Sequence, residues 1–68
     1  MAERVIVNGR ELSVDLPSTL GMFLAAQNLP PRSVVVELNG EAVAASEIAT
    51  RELHPGDRLE VVRVVAGG

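Results

Sequence analysis

The residues that could do chemistry in this chain are few, and they do not converge. Its one histidine, His54, stands in the turn-like stretch His-Pro-Gly-Asp. Ser13, Ser18, Ser33 and Ser46 have no base beside them that would make a nucleophile, and Ser18 reads as a helix cap. Glu41, Glu47, Glu52 and Asp57 read as solvated surface. Cysteine is absent, and one histidine is too few for a metal site built on imidazoles, so no metal centre is expected. Gly9, Gly40 and Gly56 mark turns and do not form a phosphate-cradling loop. By elimination, the reactive group of interest is the carboxylate of the terminal Gly68.

That carboxylate is ionised near neutrality, with a reference pKa of about 3.3–3.7, and can attack an activated phosphate. Gly67 and Gly68 lack side chains, so extended backbone could enter a channel that other residues would block. Ala66 through Gly68 could reach roughly 10 Å from a sheet, at about 3.3–3.6 Å per residue. Such a tail presents a substrate to another protein's active site. A frayed end or a processing remnant would read the same way from these residues alone.

A chain of 68 residues makes one domain, and 47% hydrophobic content is enough for a core resting on packing alone. The domain is expected to span residues 1–65, followed by a flexible Ala-Gly-Gly tail at 66–68. Net charge is −3, with no basic cluster, which argues against nucleic acid. No apolar run approaches the ~20 residues of a membrane span. The N-terminus carries charges where a signal peptide is apolar, so a cytoplasmic protein is expected. All six basic residues are arginines.

The elements that must position the tail can be read from pattern. In "RVIVNGRELSVDL", Asn8-Gly9 marks a tight hairpin turn, and Leu12, Val14 and Leu16 alternate with polar residues. Pro17-Ser18-Thr19 breaks the second strand and offers a cap. Leu20, Phe23 and Leu24 then recur at helical spacing, with Leu29 closing the stripe and Pro30-Pro31 predicted to stop the helix. "SVVVELNGEAV" reads as a third strand, an Asn39-Gly40 turn and a short extended piece over 42–44. A single helical turn is expected over 46–49, then the turn "HPGD", then a last strand "RLEVVRVV". The fold class is α+β, one main helix packed on one face of a small sheet.

In the last strand Leu59 and Val61 should face the core, while Arg58, Glu60, Val62 and Val64 face away. Scattered exposed valines are ordinary. Beside a glycine tail, Val62 and Val64 could equally form a docking patch. Arg63 falls on the core side, which predicts a bulge or the end of the sheet there.

The order of elements and the terminal Gly67-Gly68 resemble the ubiquitin-like β-grasp family. Within it, "VIVNGREL", "ELNGE", "PGDRLEVV" and the final "GG" resemble the bacterial sulfur carriers of the ThiS family over nearly the whole chain. The sequence departs from that pattern at Ala44-Ala45, where relatives often carry Pro-Arg, and at Ile48, where an aromatic is common. The resemblance implies a ubiquitin-like β-grasp with a small mixed sheet, and chemistry centred on Gly68. A ThiF-like adenylyltransferase would use Mg-ATP to make the acyl-adenylate, and a cysteine desulfurase would supply sulfur to form a thiocarboxylate. A ThiG-like thiazole synthase would then take that sulfur into the thiazole of thiamine. This chain itself would bind no cofactor and would be no enzyme. Without cysteine it cannot hold a persulfide, and without lysine no neighbouring copy offers an ε-amine to the activated tail. Three alternatives share the fold: a MoaD-like subunit of molybdopterin synthase, a protein modifier and a passive binding module. "VRVVAGG" favours the ThiS pattern over MoaD, which often has proline before its glycines.

Overall fold

The computed structural model describes residues 2–64. The tail positions Ala66, Gly67 and Gly68 therefore lie outside the described residues, as does the expected boundary at 65.

Strands β1 (Ala2–Val7) and β2 (Arg10–Asp15) form the expected antiparallel hairpin. Helix α1 (Leu20–Ala26) follows, then a 3-10 turn over Pro31–Ser33. Strands β3 (Val34–Leu38) and β4 (Glu41–Ala42) make a second hairpin, α2 (Ala45–Ile48) a single turn, and β5 (Arg58–Arg63) ends the described chain. The sheet order is β2-β1-β5-β3-β4. β5 lies parallel to β1 and antiparallel to β3, so the last strand occupies the centre of a mixed sheet. The helix packs on one face of it.

The expected Leu20, Phe23, Leu24 and Leu59 lie in the core, whereas Leu12, Leu16, Leu29 and Val61 pack against it only partly buried, and Val5, Ile48 and Leu53 join it without a signal in the pattern. Leu20, Leu24, Val5 and Leu59 are fully buried, with Phe23, Val34, Val36, Leu38, Ile48 and Leu53 nearly so. Each large aliphatic removed from water contributes about 1.5–3 kcal/mol. Gly21 explains its own presence in α1. A β-carbon there would stand 3.1 Å from Ala49 Cα and 3.3 Å from Ile48 O, so any larger residue requires the backbone around α2 to give by a few tenths of an ångström.

Five local expectations are corrected. The cap of α1 is Thr19, whose Oγ1 accepts from the Met22 N–H at 3.1 Å; Ser18 Oγ instead donates to the Thr19 carbonyl. The helix stops before the prolines. Asn28 adopts φ +60°, the Asn28 N–H bonds to Ala25 O and the Leu29 N–H to Leu24 O, which is a Schellman ending. Pro31 opens the 3-10 turn instead. The extended piece after Asn39-Gly40 is Glu41–Ala42, and the short helical turn begins one residue earlier than expected, at Ala45.

Asp57 is the fifth correction, because it is buried and serves the fold. Its Oδ1 accepts from Asn39 Nδ2 at 3.0 Å and its Oδ2 from the His54 N–H at 2.7 Å. Sequence pattern counted it as surface because a single aspartate in a turn carries no periodic signal. His54 itself is exposed, with Nδ1 3.8 Å from Asp57, and meets no other catalytic group.

Candidate functional site: the end of the last strand and its open face

Two Asn-Gly turns hold β5 in place. Asn8 and Asn39 both adopt positive φ, +51° and +52°, as the hairpin turns require. Their side chains then do a second job. Asn8 Nδ2 donates to Val61 O at 3.1 Å, and its Oδ1 accepts from the Val61 N–H at 2.8 Å. Asn39 Oδ1 accepts from the Arg58 N–H at 3.0 Å. The amide of each asparagine thus substitutes for a missing strand partner at one end of β5. The strand that leads to the tail is bonded along its length.

Pairing with β3 persists to the end of the described chain. Val34 stands opposite Arg63, and one step further the Val64 N–H donates to Ser33 O at 2.8 Å. No bulge interrupts this pairing among the described residues, and Arg63 lies on the helix side in regular register.

On the face away from α1, the residues fall into rows. Val35 is directly opposite Val62, and Glu37 directly opposite Glu60. Val62 is 61% exposed, Val35 53% and Val64 46%. No helix of the described residues covers this face. Val62 and Val64 thus stand where the alternation placed them, and Val35 joins them. Val35 escaped notice because strand parity gives its face, while its partner depends on the register of β3 against β5.

The arrangement offers an apolar row at the tail end of the sheet, then a row of carboxylates. A shallow, open hollow of about 500 Å³ lies at the other end of β5, among Glu37, Asn39, Arg58 and Glu60. Among the described residues no three acidic or histidine side chains gather as a metal site would require. No helix of the described residues is long and apolar enough to cross a membrane.

The model of the ThiS family matches residues 2–68. The chain belongs to the ThiS family. A crystal structure of a thiamine biosynthesis protein (ThiS) from Geobacter metallireducens superposes with a TM-score of 0.79 at 28% identity, covering 96% of this chain and 99% of that one. An NMR solution structure of a thiamine biosynthesis protein from the same organism gives 0.77 at 28% identity, with 96% and 87% covered. Among curated proteins, a thiazole synthase from Paramagnetospirillum magneticum is 32% identical over 65 residues. That match takes in 96% of this chain and 20% of the relative, so the chain spans about a fifth of that protein's length. The ubiquitin-like β-grasp of these ThiS structures is the fold described above.

Proposed function

We propose that this member of the ThiS family is a sulfur carrier for formation of the thiazole of thiamine, and that Gly68 is the carrier atom's site. The observation that carries the reading is the end of β5. The strand is held rigidly by Asn8 and Ser33, shows exposed valines on one face, and continues into Val-Ala-Gly-Gly. A rigid strand fixes where a tail begins, and residues without side chains let it thread.

The chemistry follows from the carboxylate. One Gly68 oxygen attacks the α-phosphate of Mg-ATP on a ThiF-like adenylyltransferase, giving the acyl-adenylate and pyrophosphate. The terminal sulfur of a desulfurase persulfide attacks the acyl carbon and expels AMP. A thiol then attacks the desulfurase sulfur of the acyl disulfide so formed, leaving a mixed disulfide on that enzyme and releasing the thiocarboxylate on Gly68. Val35, Val62 and Val64 dock the adenylyltransferase, while Ala66 and Gly67 pass through its channel. That a stretch similar to this chain forms part of a thiazole synthase supports a ThiG-like enzyme as the sulfur acceptor. The chain is a co-substrate of these enzymes.

Intact mass spectrometry tests the proposal. After incubation with the adenylyltransferase, ATP, a persulfide donor and a thiol, one oxygen of Gly68 is replaced by sulfur. Sulfur found elsewhere, with Gly68 still a carboxylate, overturns it.

A further inference from the structure

The helix side of β5 carries a second feature that the tail chemistry does not use. Between α1 and the β1–β2 hairpin lies a cleft of about 130 Å³. Val7, Leu12, Phe23, Leu29 and Val61 form its walls, and Gln27 and Arg63 supply polar groups. Val7, Leu12, Leu29 and Val61 are only partly buried, so they leave apolar surface in contact with water. The size decides what could fill it. Small-molecule pockets run to ~300–1,000 Å³, whereas a cavity of ~150 Å³ holds a benzene ring. This cleft takes one side chain.

Its charge decides what stands beside that side chain. Arg63 lines the cleft, and Arg10 is the cross-strand neighbour of Val7, hence on the same face. Neither arginine pairs with an acid among the described residues, whose ion pairs are Arg4–Glu11, Arg51–Glu47 and His54–Asp57. No carboxylate lines the cleft, although the chain as a whole carries −3. The side-chain amide of Gln27 makes no hydrogen bond within the described residues and is a further donor.

We propose that this cleft is a second docking site, for a partner segment in which one leucine- or phenylalanine-sized residue stands beside an aspartate or glutamate. The apolar residue enters between Phe23 and Val61, and the acid meets Arg63 with Arg10 at the rim. The site lies on the opposite face of β5 from Val35 and Val62, so one partner, or two, can hold both sides of the strand that leads to the tail. It stands independently of the sulfur-carrier reading.

The test is an amide-shift titration of the ¹⁵N-labelled full chain with the capped peptide acetyl-Asp-Leu-Phe-Glu-amide. Saturable shifts are expected at Val7, Phe23, Leu29 and Arg63, with Val35 and Glu37 unmoved. Replacing both peptide acids by lysine should weaken binding at least about fivefold, the worth of a rim ion pair or two. Arg10→Glu with Arg63→Glu should weaken the acidic peptide equally and restore the lysine peptide, since both residues are exposed and neither supports the core. Equal binding of the two peptides by the unaltered chain overturns the proposal, as does a titration that never saturates. Cleft shifts produced merely by removing residues 65–68 would identify the occupant as the chain's own tail, and overturn it too.

Discussion

Val35 and Val62 face each other directly across β3 and β5, both more than half exposed, on the side of the sheet that α1 leaves open. A cross-strand apolar pair stabilises a sheet by only about 0.2–1 kcal/mol. Exposing two such residues together gives the free domain little, and gives a binding partner a patch to cover. Val62→Glu with Val64→Glu should therefore cost the fold about 1 kcal/mol or less. Binding to the adenylyltransferase should fall sharply, and Val35→Glu alone should fall with it. Calorimetric titration beside a thermal melt separates the two effects; unchanged binding by both variants removes the docking role.

Leu59, three residues before Val62 on the same strand and on its opposite face, should behave in the opposite manner. It is fully buried among the core residues. Leu59→Ala should cost about 2–5 kcal/mol, most of the ~3–5 kcal/mol that a domain this small commands. Leu59→Glu should leave it unfolded, because it buries an unpaired charge. Circular dichroism in urea reads both, and a folded Leu59→Glu chain would mean the strand register is wrong.

The clasp made by Asn8 can be isolated from the turn it occupies. Asn8→Gly keeps the positive φ but removes both bonds to Val61. The expected loss is about 1–2 kcal/mol, two net hydrogen bonds at an exposed site. It should appear as a lower urea midpoint with unchanged slope. A neutral result would mean that water replaces the side chain without cost.

Gly21→Ala sets two effects against each other. Alanine improves helix propensity by up to ~1 kcal/mol, yet its methyl would meet backbone atoms of Ile48 and Ala49 at 3.1–3.3 Å. Backbone yields less readily than a side-chain tip, and overpacking costs about 1–3 kcal/mol. A net loss of about 1 kcal/mol is expected in the melt. A gain would show that α2 is free to move away.

For the tail, Gly67→Ala and Gly67→Val should leave the melting temperature unchanged and slow ATP–pyrophosphate exchange by the adenylyltransferase, valine more than alanine. Deleting Gly68 should be severe. Its new carboxylate falls about 3.3–3.6 Å short, and attack tolerates little misplacement. Full exchange by the Gly67→Val and Gly68-deletion chains would dismiss the tail as a substrate.

Alternation and turn chemistry were enough to assign most of this molecule. Asn-Gly at 8–9 and 39–40 specified both hairpins, because few residue pairs adopt positive φ twice in succession. The stripe Leu20, Phe23, Leu24 and the parity of Leu59 against Val62 gave the core and the open face, since a side chain's face depends only on its own strand or helix period. What pattern could not reach were relationships between segments far apart in the chain. That Val35 meets Val62, that the Asn8 amide bonds to Val61, and that Asp57 is buried beneath Asn39 all depend on β5 inserting between β1 and β3. Arg63 shows the division most plainly. Its parity put a charge on the helix side of the sheet, but only the packing of α1 against the hairpin decided that it borders an apolar cleft. Local periodicity is a property of neighbouring residues; a cleft belongs to surfaces that meet only when the chain has folded.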